Sequence, residues 1–215
     1  MFTDIISERH IKELLTRFPQ LADAAGSIDR VYVTLKNCFV NDKILFCAGN
    51  GGSGADSEHI VGELMKGFRL RRPIDTESSG RIVRTSGDQD LAGRLQMGLR
   101  CISLLSHPAL NTAFMNDVDP DLIFAQQLFV LGRPGDAVIG ISTSGNAVNI
   151  CNLFKVARSK QISTILLTGS GHGKAGQYAD QVIHVPEKET YKIQELHLPV
   201  YHCLCSMLEE SFYGK

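Results

Sequence analysis

The feature that most constrains this chain is one pattern stated three times: a short apolar run, a loop of glycine or hydroxyl residues at its end, then a turn or helical periodicity. Lys43–Ala48 leads into Gly49, Asn50, Gly51, Gly52, Ser53 and Gly54 and then a helix; Asp136–Ser142 leads into Thr143, Ser144, Gly145 and Asn146 and a helix through about Ser159. Ile162–Leu167 ends in a third glycine-rich turn, Gly169–Ala175. Strands that alternate with helices in this way belong to a parallel sheet covered on both faces. The expectation is an α/β fold, a doubly wound parallel sheet, with further strands at about 100–104 and 181–185 and helices at about 119–130 and 190–212. Apolar residues at three-to-four spacing (Ile5, Ile6, Ile11, Leu14, Leu15, then Val31, Val33, Leu35, Cys38, Phe39) read as two earlier helices over 2–24 and 28–40, the first interrupted or kinked by Pro19. Residues 1–41 are thus an N-terminal helical extension of the same domain as residues 42–215. The polar stretch 69–96 departs from the alternation and reads as an irregular insertion, either a mobile loop or a small subdomain.

Composition narrows the function. The 215 residues are 43% hydrophobic and 21% charged, which suits one compact domain and excludes disorder. Lys plus Arg number 22 against 23 for Asp plus Glu, so no positive surplus exists to neutralise a nucleic-acid backbone. No apolar run approaches the roughly 18 residues of a membrane span, and Asp4, Glu8 and Arg9 stand where a signal peptide would be basic and then apolar. A cytoplasmic protein without nucleic-acid or membrane partners is expected. Cys38, Cys47, Cys101, Cys151, Cys203 and Cys205 contain no Cys-x-x-Cys, and three lie in apolar stretches, as reduced core thiols do.

The loops carry the chemistry. Gly49–Gly54 leaves a strand and opens a helix, so backbone N–H groups and a helix N-terminus converge there on an anion. The segment also satisfies Gly-x-Gly-x-x-Gly, but the acidic residue that a dinucleotide fold needs about 20 residues on is replaced by Arg69, Arg71 and Arg72. Ser142, Thr143 and Ser144 offer three hydroxyls at a second helix start. Helix capping accounts for one of them, whereas a phosphorylated ligand shared by both loops accounts for all three. Gly169–Ala175 lacks the first glycine of a nucleoside-triphosphate loop and has Ala175 where a magnesium-binding hydroxyl is required, so no nucleotide cofactor is expected.

Taken together, Gly49–Ser53, His59 with Glu63, Ile141–Asn146, and Ile193, Gln194, Glu195 and His197 with His202 resemble the sugar isomerase (SIS) superfamily and, within it, the phosphoheptose isomerases. The resemblance implies a flavodoxin-like fold, a homotetramer, and isomerisation of D-sedoheptulose 7-phosphate to D-glycero-D-manno-heptose 7-phosphate at a metal-containing site. It implies zinc held by His59, Glu63, Gln194 and His202. Substrate contacts would come from Asn50, Gly51, Gly52, Ser53, Glu63, Asn116, Asp117, Ser142, Thr143, Ser144 and Gln194. The chain departs from that pattern at Ala147, where the family has a further phosphate-binding serine, at Tyr191, where an acidic contact is expected, and in the stretch 69–96.

Aldose–ketose interconversion moves a proton between C1 and C2 through an enediol, which requires a base at carbon, an acid/base near the oxygens and an electrophile. Glu63 is assigned as the base and His202 as the proton shuttle. His59 and Glu63, four apart on the helix that opens at the phosphate loop, share one side of it. In the last helix Leu196, Val200, Cys203, Leu204 and Met207 form a core stripe, with Gln194, Leu198 and His202 roughly opposite. Leu198 and Tyr201 on that second side imply cover by a neighbouring subunit. Eight helical residues rise about 12 Å, so Gln194 joins His202 at one metal only from a non-helical opening turn or from another subunit. Two alternatives stay open: isomerisation of another sugar phosphate, and a non-catalytic module that binds sugar phosphates.

Overall fold

The structure, a computed structural model, describes residues 2–214; Met1 and Lys215, at the outer ends of the two expected ranges, lie outside the described residues. Helix α1 (Ile5–Arg17) starts at Asp4, whose carboxylate accepts from the Ser7 N–H. It stops short of Pro19, and Phe18 leaves the helical conformation at φ −133°, as a residue before proline does. A tight 3₁₀ segment, Pro19–Ala24, then turns the chain into α2 (Ala25–Val40). After β1 (Leu45–Gly49) come α3 (Gly52–Met65), α4 (Thr76–Ser86), α5 (Gln89–Arg94) and β2 (Cys101–Ser103). The chain continues through α6 (Pro108–Asp117), α7 (Ile123–Leu131), β3 (Ala137–Ile141), α8 (Val148–Ser159), β4 (Ser163–Thr168), β5 (Gln181–His184) and α9 (Thr190–Tyr213).

All five strands pair in parallel, in the order β2-β1-β3-β4-β5. This is the doubly wound α/β fold with its helical N-terminal part. Along β1, Leu45 and Cys47 point into one core while Phe46 and Ala48 point into the other. The first core is walled by α1, α2, α3 and α9, the second by α7 and α8. Alternate residues on both faces are buried, which is why these strands read as continuous apolar runs. All six cysteines are free and buried.

The stretch 69–96 is not irregular. Its two short helices are capped by Asp75 and Asp88, and α4 closes on Gly87 in the left-handed conformation (φ 71°). Pro73 and Gln96 bridge at the base of this hairpin. Arg72 belongs to the core: its buried guanidinium pairs with Glu209 at 2.9 Å and donates to the carbonyls of Glu63 and Leu64 at the end of α3. Glu209 in turn accepts from the N–H groups of Phe68 and Arg69, which ties the chain leaving α3 to α9.

Candidate active site

In this strand order the connections reverse direction between β1 and β3, and a crevice opens at their carboxyl ends. Both sequence-predicted loops meet there. A cleft of about 320 Å³ is lined by Asn50, Ser53, Ser142, Thr143, Ser144, Asn146, Ala147, Thr190 and Gln194, with Ile141 at its floor. The helices that open onto it, α3 behind Gly51 and α8 behind Ala147, have no side-chain cap. Helices α2, α6, α7 and α9 lack one too, so the missing cap alone is not distinctive. What sets this place apart is that the N-termini of α3 and α8, with that of α9 at Thr190, converge on one cleft, where free N–H groups and the positive ends of the dipoles are suited to an anion.

Close backbone approach builds the cleft. A Cβ at Gly49 would lie 2.3 Å from the Ser53 carbonyl oxygen, and one at Gly52 would lie 2.6 Å from the Gln194 amide nitrogen. The third glycine run serves as a buttress: Ala175 N–H donates to the Gly145 carbonyl, Lys174 N–H to Asn146 Oδ1, and a Cβ at Gly173 would sit 2.3 Å from Gly145. Asn50 and Asn149 exchange two amide hydrogen bonds of 3.0 and 2.9 Å, which clamps the first loop to α8. Ser144 Oγ accepts from the Asn146 N–H and keeps its own proton free to donate.

Glu63, His59 and His202 form a second centre where α3 faces α9. His59 Nε2 lies 3.1 Å from Glu63 Oε1 and 3.4 Å from His202 Nε2. Lys66 donates to the other Glu63 oxygen at 2.9 Å. Burial, and next the neighbouring His59, hold the His202 imidazole below its usual pKa against the pull of Glu63. Phe68 packs on His202 with ring centroids 5.3 Å apart. On its outer side His202 borders a groove of about 600 Å³ between α1 and α9, lined among others by Leu14, Arg17, Phe18, Arg69 and Leu198.

Within its own chain Gln194 does not join this centre. It lies inside α9, two turns before His202, and its amide rests against Gly52 in the cleft. Tyr201, expected on a face awaiting a second subunit, is instead buried against α3 in its own chain. Asn116 and Asp117 are exposed at the end of α6, hydrogen-bonded to each other at 2.8 Å, and are not among the residues lining the cleft. Sequence reasoning missed Asn149, Asp56 and the inward role of Tyr201. The usable signal was Asp56, three residues before His59 on the same helical side.

Two imidazoles and a carboxylate are zinc-type donors. Their separations of 3.1 and 3.4 Å match the roughly 3.3 Å edge of a tetrahedral site with bonds of about 2.0–2.1 Å. Two edges are therefore of a suitable length, but among the described residues no group of three or more His, Cys, Asp or Glu side chains is arranged to hold a metal ion.

Comparison with known proteins agrees with this geometry. Residues 8–169 match the SIS domain family. A phosphoheptose isomerase of Akkermansia muciniphila is 35% identical over 198 residues, 92% of each chain. The structure of a phosphoheptose isomerase from Neisseria gonorrhoeae superposes with a TM-score of 0.68 at 26% identity, over 92% of this chain and 98% of that one. One from Francisella tularensis gives 0.72 at 24% identity, over 93% and 97%, a likeness of fold.

Proposed function

Because the chain belongs to the SIS domain family and, within it, to the phosphoheptose isomerases, enzymes that isomerise sugar phosphates, we propose that its substrate is D-sedoheptulose 7-phosphate and its product D-glycero-D-manno-heptose 7-phosphate. One observation carries the reading: an anion cleft at the switch point and a carboxylate–imidazole centre stand at the two ends of the Gln194–His202 segment of α9. That separation, about 12 Å along the helix, is of the order of an extended open-chain heptose phosphate.

The substrate phosphate sits on the N-termini of α3 and α8, held by backbone N–H groups and the hydroxyls of Ser53, Ser142, Thr143 and Ser144. The residues lining the cleft include no Lys or Arg, so the phosphate is held there by neutral donors. The open sugar chain runs along α9 toward Glu63. The Glu63 carboxylate removes a proton from C1 of the ketose; the C–H electron pair becomes the C1=C2 double bond of an enediolate, and the carbonyl π pair moves to O2. His202 carries a proton between O1 and O2, and Glu63 returns its proton to C2, leaving the aldose carbonyl at C1. When bound, a zinc ion supplies Lewis-acid polarisation of a carbonyl oxygen, and His59, Glu63 and His202 are the donors that this chain would offer it. The reading extends to a homotetramer, supported by the groove beside His202 and by Leu198 exposed in it. It extends also to the cytoplasm, supported by six free thiols.

The test is an NMR assay of the purified protein on sedoheptulose 7-phosphate, with and without chelator. Aldose signals that grow in and slow on chelation are expected. A protein inert toward this sugar, and indifferent to chelator, overturns the proposal.

A further inference from the structure

We propose that Tyr201 is a positioning residue that transmits the Asp56 carboxylate to His59 and thereby decides which nitrogen of His59 carries the proton. The Tyr201 hydroxyl lies 3.1 Å from Asp56 Oδ1 and 3.0 Å from His59 Nδ1. A carboxylate only accepts, and a phenol has one proton to give. The phenol therefore donates to Asp56, and its oxygen is left to accept from His59 Nδ1–H. Glu63 Oε1, 3.1 Å from His59 Nε2, is a competing acceptor that favours the opposite tautomer. Glu63 already accepts from Lys66 and is partly exposed, however, whereas Asp56 is buried with the phenol as its side-chain partner. The Nδ1–H tautomer leaves the smaller of the two mismatches, a bare Nε2 lone pair facing Glu63 Oε1 and His202 Nε2, 3.1 and 3.4 Å away. Three electron-rich atoms then face one another, an arrangement that favours a proton or a metal ion among them.

The surroundings enforce this single path. Tyr201 is 1% exposed, and the second oxygen of Asp56, Oδ2, is buried without a hydrogen-bond partner, so the phenol is the side-chain group through which that carboxylate acts. The Tyr201 ring meets His59 edge-to-face at 5.4 Å and His202 at 5.0 Å, which holds both imidazole planes. Hydrogen-bonded partners behind a ligating or catalytic histidine commonly set its tautomer in this way, and their loss typically costs about 10–100-fold in activity or metal affinity.

Only the activity arm of the test rests on the isomerase reading. Protein labelled with ¹⁵N-histidine is chelator-treated and held at about pH 8.5, where imidazoles are neutral. Long-range ¹H–¹⁵N spectra are recorded for the wild type, Tyr201→Phe and Asp56→Ala, with His59→Gln identifying the His59 signals. The wild type should show Nδ1–H. Tyr201→Phe keeps the ring packing and should move His59 to Nε2–H, since Glu63 Oε1 becomes its remaining acceptor. Asp56→Ala, on a different helix, should do the same, because the freed phenol proton turns to Nδ1. In turnover, Tyr201→Phe should lower kcat about 10–100-fold with KM unchanged. A folded variant of either kind that retains Nδ1–H overturns the relay, even in an active enzyme. A tautomer that moves in a protein inert on sugar phosphates supports the relay and removes the isomerase reading instead.

Discussion

At the scale of single residues, the carboxylate and the two imidazoles at the α3–α9 seam carry the sharpest expectations. Glu63→Gln keeps the shape of the side chain and removes its basicity, and His202→Ala removes the shuttle. Each should lower kcat by at least about 10²-fold, the usual range for a general acid/base, with a much smaller change in KM, in the same NMR assay. His197 gives a different test. It is fully buried, both ring nitrogens lack a hydrogen-bond partner, and burial pushes its pKa down to about 4, with the Thr168 backbone as weak compensation. Its folded-state pKa lies below the unfolded value of about 6.5, so the unfolded chain takes up the proton first as pH falls. Stability is therefore complete above about pH 6.5 and declines toward about pH 4, by an amount on the order of 3 kcal/mol. Urea midpoints for His197→Leu should be as high as wild type at pH 7.5 and should fall less between pH 6.5 and 4. A mutant with the wild-type slope would show that His197 does not set it. His59 and Glu63 were legible as a pair because helical spacing converts sequence separation directly into a shared face, whereas His202, on another helix, came from the family resemblance. Tyr201 was not legible, since its neighbour His202 faces the outer groove while Tyr201 turns in toward α3, and only packing decides which of two adjacent residues is inside.

At the scale of elements, the loops and strands were readable because each strand buried on both faces leaves an unbroken apolar run, and each phosphate loop needs glycines where backbones touch. The pair α4 and α5 was not readable. Polar composition concealed them, although Asp75, Gly87 and Asp88 were ordinary cap signals. These helices touch mainly each other; α4 has no buried residue and α5 buries only Ala92. The bridge between Pro73 and Gln96 already closes the chain beneath them. Replacing residues 75–94 with a short Gly-Ser turn should keep the fold, with a Tm within about 4 °C of wild type by differential scanning calorimetry. A lost or broadened transition would mean that the hairpin braces the domain. Arg72 must stay in such a variant, because removing it leaves Glu209 charged and buried without its partner.

At the scale of the whole molecule, the parallel sheet and its helical cover were legible from the alternation alone, while the tetramer is an expectation drawn from the family resemblance. Leu198, 39% exposed beside the groove, is the residue on which the expected tetramer can be tested. Leu198→Glu should yield a smaller species than wild type by light scattering, while circular dichroism stays the same; an unchanged mass would place the contact elsewhere. The place of α9 in chain order has a consequence for synthesis. It follows every strand and supplies Ile193, Val200, Tyr201, Leu204 and Met207 to one core. At about 5–20 residues per second, a ribosome spends roughly 1–5 s on the 24 residues of this helix. Until α9 has been made and has packed, that core keeps one apolar flank unclosed, which is the interval in which a chaperone would find it.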